Sequence, residues 1–159
     1  MKKKFIMIGI VALTAMIYLA GCTSTTQNNG NTNGNNNNNL QPQQNETEVR
    51  IPLSDIGTTA TFYSYDADGV TVRYFAVKDA QGNAHVAFDA CDVCYEAKKG
   101  YKQNGDLMQC LNCGKTFSIA SIGTENIAGG CWPSYVAMKI DGNNVVIKKA
   151  DLEAKAYMF

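Results

Sequence analysis

The sequence reads Cys-Asp-Val-Cys at residues 91–94, Cys-Leu-Asn-Cys-Gly at 110–114 and Gly-Gly-Cys-Trp-Pro at 129–133. Fifteen residues, 95–109, separate the two Cys-x-x-C pairs, a spacing typical of sites where four thiolates hold one metal centre. Soft thiolate ligands favour zinc or iron–sulfur chemistry over magnesium or calcium. The motif therefore predicts a metal or cluster site whose ligands are Cys91, Cys94, Cys110 and Cys113.

The N-terminus has the pattern of an exported lipoprotein. Lys2, Lys3 and Lys4 precede an uncharged apolar run over residues 5–20, and a run of roughly 16 residues is short for a membrane span. The run closes with Leu-Ala-Gly-Cys at 19–22. We predict a lipoprotein signal peptide at 1–21, with Cys22 as the lipidated residue bearing palmitate-type acyl chains; the alternative is an uncleaved anchor helix. Both interpretations place the remainder on the extracytoplasmic face of the cell membrane.

Residues 22–48 are predicted to form a disordered tether. The segment is rich in Asn, Gln and Thr, includes an unbroken Asn run at 35–39 and has no apolar periodicity. Such a sequence buries too little surface to offset the entropy of ordering its backbone. Residues 49–159 then form one folded domain, which is long enough for a modest core.

The pattern of the folded part is mainly β. Strand-like runs are separated by turn sequences such as Asp-Ala-Asp-Gly at 66–69 and Asp-Gly-Asn at 141–143, which favours a small antiparallel sheet or barrel. Residues 70–77 place apolar side chains on both faces of one strand. We also expect a short C-terminal helix at 151–157. The predicted strands are 50–53, 59–65, 70–77, 84–88, 107–109, 135–140 and 144–147.

Five thiols remain after Cys22, and their odd number leaves several interpretations open. Exported proteins usually oxidise their cysteines, so two disulfides and an orphan thiol are an alternative to a metal site. A thioredoxin-like redox pair is disfavoured, because that motif belongs to a helix start after a parallel strand. Attachment of c-type haem is excluded, because Tyr95 and Gly114 stand where His must follow Cys-x-x-C.

Two further residues are candidate ligands. Cys131 follows Gly129 and Gly130, which would let its backbone approach a cluster closely; it is either an additional ligand or a small buried cysteine. His85, the only histidine, is either a ligand or a structural residue. Other predicted neighbours are the turn-capping residues Asp89 and Asp92 and an apolar wall of Tyr101, Phe117 and Trp132, with Phe117 favoured as plain core.

The loops around the second pair resemble a Rieske module, in which two hairpin loops clasp a 2Fe–2S cluster. Rieske ligands are Cys-x-His and Cys-x-x-His, whereas this chain has cysteine at all four places. Thiolates in place of imidazoles add negative charge, so a cluster here is expected at a lower potential. A zinc-ribbon-like module is the alternative architecture.

A second resemblance is closer. The chain is similar to the FtrD-like family of membrane-associated iron–sulfur proteins. The resemblance implies that Cys91, Cys94, Cys110, Cys113 and Cys131 bind the metal centre. It also implies a link to an iron-uptake system with a permease, beside periplasmic iron- and copper-binding partners. The motifs that carry it are Phe-Asp-Ala-Cys-Asp-Val-Cys at 88–94, Gly-Tyr at 100–101, Cys-x-x-Cys-Gly at 110–114, Ile-Gly-Thr at 122–124 and Gly-Gly-Cys-x-Pro at 129–133.

These observations favour a lipid-anchored iron–sulfur electron carrier that works beside a membrane redox partner or an iron permease. The 14 basic and 14 acidic residues balance, and no basic stripe supports nucleic-acid binding. No acid–base constellation or phosphate loop is present in the sequence, so we expect an accessory protein and not an enzyme. The alternatives are a zinc-binding structural lipoprotein and a thiol–disulfide oxidoreductase.

Overall fold

The computed structural model describes residues 41–159. The predicted signal peptide, the lipidation site Cys22 and most of the predicted tether lie outside the described residues. The strands are β1 (Gln43–Gln44), β2 (Glu48–Pro52), β3 (Thr61–Ala67), β4 (Val70–Lys78), β5 (Ala84–Cys91), β6 (Tyr101–Asn104), β7 (Leu107–Cys110), β8 (Thr116–Ser118), β9 (Pro133–Tyr135), β10 (Lys139–Asp141) and β11 (Asn144–Lys148). One helix, α1 (Lys149–Glu153), follows, and short 3-10 helices lie at Leu53–Asp55, Tyr95–Ala97, Ile119–Ser121 and Ala156–Met158.

The strands form three antiparallel sheets. The strand orders are β1-β2-β11-β10, β3-β4-β5-β9 and β6-β7-β8, and every pairing is antiparallel. The prediction of a mainly β, antiparallel protein is thus confirmed. The strand orders are linear, so the described residues form open sheets and not a single closed barrel.

Tight turns set the register of the hairpins. Ala67 pairs with Val70, which leaves Asp68 and Gly69 as a two-residue loop with φ angles of 50° and 86°. Two positive φ values match the right-handed twist of the flanking strands, and Asp-Gly supplies them at low cost. The Asp66 carboxylate also accepts a hydrogen bond from the Gly69 N–H at 2.6 Å. The predicted turn at 66–69 therefore fixes the β3–β4 pairing.

Strands β4 and β5 are buried on both faces and so separate two hydrophobic cores. The larger core lies on the face that carries Val72 and Tyr74, against the first sheet and α1; it includes Val49, Ile51, Val72, Tyr74, Phe88, Val145, Ile147 and Leu152. The smaller core lies on the face of Phe75 and consists of Phe75, Val77, Ala87, Cys91, Tyr101, Met108, Cys110, Ile119 and Ile122. The smaller core contains cysteines from both Cys-x-x-C pairs.

Several boundaries differ from the sequence-based expectations. The predicted strand at 135–140 is two strands, because β9 pairs with β5 whereas β10 pairs with β11 in another sheet. Strands β6 and β8 were missed because they are short and largely polar. Strand β1 and Glu48 lie inside the segment that was predicted to be a tether. Strand β1 consists of two glutamines, one of which pairs with Val49 of β2, so its sequence has no apolar pattern that would predict a strand. The C-terminal helix begins at Lys149 and ends at Glu153, before a separate 3-10 turn at Ala156–Met158.

We expect Leu152→Ala to reduce the free energy of unfolding by about 2–5 kcal/mol, because it opens a cavity in a close-packed core. The Leu152 side chain is 0% exposed. The matched control is Leu107→Ala in β7, whose side chain is 37% exposed and whose loss should cost roughly 1 kcal/mol or less. Urea unfolding followed by tryptophan fluorescence measures both. Equal losses for the two variants would contradict the assignment of Leu152 to the core.

Candidate metal centre

The first cysteine pair lies where β5 leaves the central sheet. Cys91 is the last residue of β5, and Cys94 precedes the 3-10 turn at Tyr95–Ala97, where the Ala97 N–H bonds to the Cys94 carbonyl at 3.1 Å. The next strand, β6, belongs to a different sheet. This loop is therefore a crossover between sheets, which differs from the two-hairpin arrangement expected from the Rieske resemblance.

The second pair occupies a hairpin turn, as predicted. Cys110 ends β7, and its backbone N–H bonds to the Lys115 carbonyl at 2.9 Å, while the Gly114 N–H bonds to the Cys110 carbonyl at 3.0 Å. A further bond, 2.9 Å from the Leu111 N–H to the Gly100 carbonyl, ties this turn to the segment that follows the first pair.

Strand pairing brings Cys131 to the same place. Cys91 is paired with Pro133 across β5 and β9, and the Asp92 N–H bonds to the Trp132 carbonyl at 3.0 Å. Asn126 braces this loop, because its side-chain amide donates to Asp92 and to the Gly130 carbonyl, each at 2.9 Å. The sequence offered no signal for this role of Asn126.

Gly129 and Gly130 serve the loop through their backbone conformation, with φ angles of 71° and 82°. A Cβ at either position would meet no atom within 4 Å. In the described residues these glycines supply positive φ, and a close approach of their backbone to a cluster stays a prediction.

Five thiols converge in one small volume. The sulfurs of Cys91, Cys94 and Cys131 lie within 4.8 Å of one another, as do those of Cys94, Cys110 and Cys113. Cys94 belongs to both groups. The Cys131 sulfur is 3.6 Å from that of Cys94 and 3.6 Å from that of Cys113. All five thiols are free, so the pairs do not form the disulfides considered as an alternative.

Backbone N–H groups stabilise the thiolate form of selected cysteines. Burial acts to raise the pKa of Cys91, but the N–H groups of Val93, Cys94 and Trp132, together with Tyr101, lower it to about 7. The Lys115 N–H lowers the pKa of Cys113. A thiolate at either position is a ready metal ligand.

The thiols of Cys110 and Cys131 resist ionisation. Burial raises the pKa of Cys110 to about 11, against the opposing N–H groups of Cys113 and Asn112. Burial also raises the pKa of Cys131, and Cys113 and Cys94 raise it further. Several negative charges cannot share this volume without a cation, so a bound metal would displace these protons.

An aromatic wall borders the sulfurs, as predicted. The Tyr101 ring lies 6.2 Å from that of Phe117, which in turn lies 5.2 Å from that of Trp132. Tyr101 is buried, and Phe117 is partly buried against the smaller core together with Cys94 and Cys131. Cys113 is exposed. Cys91 and Cys110 are thus buried in the core that contains Tyr101 and borders Phe117, whereas Cys113 is open to solvent.

The structure places His85 apart from this cluster. Its ring nitrogens lie 3.0 Å from the Ile122 carbonyl and 3.0 Å from an Asp79 carboxylate oxygen. Asp79 also accepts bonds from the backbone N–H groups of Gln81 and Asn83, and these bonds, led by the one from His85, hold its pKa well below its usual range. One ring nitrogen of His85 thus contacts the turn between β4 and β5, and the other contacts the segment after the 3-10 helix at Ile119–Ser121, so His85 has a structural role here.

The sequence predicted that Asp89 caps a turn. In the structure, Asp89 instead connects two sheets. It lies inside β5 and is 9% exposed. Its carboxylate accepts the Tyr101 N–H at 2.6 Å and lies 3.1 Å from the Arg73 guanidinium Nε. Burial raises its pKa, while Tyr101 and Arg73 oppose that shift. The bond to Tyr101 fixes the start of β6 beside the end of β5.

Gly100 makes this contact possible. A Cβ on Gly100 would overlap the Asp89 carboxylate, and its φ of 69° also disfavours a side chain. We expect Gly100→Ala to displace Asp89, loosen the two cysteine loops and lower the metal content of the purified protein. Gly105→Ala is the matched control, because its φ is 59° but nothing lies within 4 Å. Metal analysis and thermal unfolding of both variants measure the effect; equal metal content would contradict the role of Asp89.

The donor set fits a thiolate-bound metal centre. In a tetrahedral zinc–thiolate site with bonds of about 2.3 Å, adjacent sulfurs lie about 3.8 Å apart, close to the 3.6 Å separations of Cys131 from its neighbours. Iron–sulfur clusters use the same ligand type. The described residues therefore offer a site for a soft metal ion or a cluster.

Within residues 41–159, the structure contains no helix with the length and apolar character needed to cross a bilayer. Among curated proteins and among solved structures, the chain has no match. A family model described as "Membrane iron-sulfur containing protein FtrD-like" matches residues 53–159, a range that contains all five converging thiols. The chain belongs to the FtrD-like family of membrane iron–sulfur containing proteins.

Proposed function

We propose that this protein is a lipid-anchored, extracytoplasmic iron–sulfur protein that transfers electrons as an accessory of a membrane system, such as one for iron uptake. The observation that carries the proposal is the meeting of five free thiols, from three separate segments, inside the range that matches an iron–sulfur family. Electron transfer by a bound cluster requires no acid–base catalyst, and the proposed role is that of a carrier and not of an enzyme.

Each cysteine has a role in the proposed centre. Cys91, Cys94, Cys110 and Cys113 are the ligands, and Cys131 is a further ligand or a close neighbour. When bound, an iron–sulfur cluster supplies one-electron redox chemistry. The backbone N–H groups that lower the pKa of Cys91 also neutralise part of the negative charge on the sulfurs, and the apolar wall restricts water on one side.

The open side of the site suits contact with a redox partner. Cys113 is exposed, and each Cys-x-x-C loop carries an exposed apolar residue, Val93 at 58% and Leu111 at 44% exposure. An apolar rim beside an exposed ligand allows a partner to exclude water where the electron passes. A lipid on Cys22 and the Asn-rich segment would keep this surface near a membrane partner and raise its effective concentration.

Zinc is the second candidate, because the 3.6 Å separations between sulfurs are close to the edge of a tetrahedral zinc–thiolate site. Zinc has no redox chemistry, so the domain would then be a structural or metal-binding lipoprotein. Metal content distinguishes the two functions directly.

We expect protein purified without oxygen to be brown, to contain iron and acid-labile sulfide, and to bleach with dithionite. Electron paramagnetic resonance before and after reduction should show a signal that depends on the redox state. Colourless protein with stoichiometric zinc would overturn electron transfer through this site. Metal-free protein with dithiol-dependent reductase activity would favour a thiol–disulfide oxidoreductase instead.

Substitution of one ligand should abolish retention of the cofactor. We expect Cys113→Ser to lose most of its iron and visible absorbance, because a hydroxyl is a far poorer ligand for a soft metal. Ser118→Ala, a change at an exposed residue of β8, is the control and should keep its metal. Full metal content in Cys113→Ser would show that Cys113 is not a ligand.

The anchor can be tested separately. We expect wild-type protein in growing cells to incorporate labelled palmitate and Cys22→Ser to incorporate none, while the iron content stays unchanged, because Cys22 is the residue that would carry the acyl chains. Palmitate labelling and metal analysis of both proteins measure this. Equal labelling of the two proteins would contradict lipidation at Cys22.

A further inference from the structure

Three buried tyrosine hydroxyls, those of Tyr63, Tyr74 and Tyr101, have no hydrogen-bond partner within residues 41–159. A buried hydroxyl without a partner is costly, so each one requires an explanation. Tyr63 and Tyr74 are cross-strand neighbours whose rings stack at 5.5 Å in the larger core. Tyr101 is different, because it lies in the smaller core with Cys91 and Cys110.

The position of Tyr101 is fixed from several directions. It begins β6 and pairs directly with Cys110 of β7, so the two side chains share one face of the sheet. Its backbone N–H is bound to Asp89 at 2.6 Å. Its ring lies between those of Phe75 and Phe117, 6.2 Å from each. The ring has little freedom to turn its hydroxyl elsewhere.

The hydroxyl is buried, and its ring belongs to the core that holds the buried thiols. Burial raises the pKa of Tyr101, and Cys91 raises it further, followed by Cys110 and Cys113. Conversely, Tyr101 helps to lower the pKa of Cys91. The hydroxyl has no partner among the described residues, and a neutral tyrosine hydroxyl is a hydrogen-bond donor.

We propose that the Tyr101 hydroxyl donates a hydrogen bond to a sulfur of the bound metal centre, in the first place the thiolate of Cys91, and thereby raises its reduction potential. This inference rests on the proposed iron–sulfur function. Reduction adds negative charge that spreads onto the sulfurs, so a donor stabilises the reduced form more than the oxidised form. Tyr101 is a tuning residue and not a ligand.

The test compares Tyr101→Phe with Tyr74→Phe in the full-length protein. Both changes remove a buried hydroxyl without a partner, but Tyr74 lies on the other side of the central sheet, in the larger core. We expect Tyr101→Phe to lower the midpoint potential on the order of 59 mV, a tenfold change in the equilibrium constant for one-electron reduction. Tyr74→Phe should leave the potential unchanged, and both variants should keep their iron.

Cobalt(II) provides a second measurement that does not require iron. A hydrogen bond to a thiolate lowers the energy of its lone pair, so its loss should move the sulfur-to-cobalt absorption band to longer wavelength in Tyr101→Phe only. If iron is present but neither the potential nor the band differs between the two variants, this inference is overturned while the proposed function stands. If the protein holds zinc and the band moves, the hydrogen bond is present, but its effect on a reduction potential is overturned together with the proposed function. If the wild-type protein holds no iron and binds no cobalt through thiolates, both proposals are overturned.

Discussion

The hydrogen bond from the Tyr101 N–H to Asp89, 2.6 Å long, connects the strands that carry the two cysteine pairs. It joins β5, which ends in Cys91, to β6, which lies beside Cys110. A buried carboxylate is stable in such a place only when donors surround it, and Arg73 supplies the second one. Gly100 leaves room for the carboxylate. Without this link, the relation between the two cysteine loops would depend on the Leu111–Gly100 backbone hydrogen bond and on packing in the smaller core.

The central sheet allows stability and chemistry to occupy different faces. One face of β4 and β5 packs into the larger core, which within the described part of the chain consists of aliphatic and aromatic side chains and contains no cysteine. The other face contributes Phe75 and Ala87 to the smaller core, which includes the buried thiols of Cys91 and Cys110. Polar and ionisable groups near the thiols therefore do not disturb the packing of the larger core. This division lets the site carry closely spaced thiols that repel one another as thiolates and require a cation.

Much of the fold followed from local patterns. The alternation in β4 predicted two buried faces, and the Asp-Gly turn at 68–69 predicted the β3–β4 hairpin, because both signals depend on near neighbours in the chain. The split of residues 135–140 between two sheets had no such signal, since pairing with distant strands decided it. Strand β1 was missed for the same reason: Gln43 and Gln44 gain order only from the edge of β2.

The sequence by itself determined the donor atoms that the site can offer, because two Cys-x-x-C pairs at this spacing supply soft sulfur donors wherever the chain carries them. Tertiary structure alone decided which other residues surround those sulfurs. Pairing of β9 with β5 brought Cys131 to within 3.6 Å of Cys94 and Cys113, and the same fold turned His85 toward Asp79. The physical reason is that these contacts depend on the register between distant strands, and no short-range pattern encodes it.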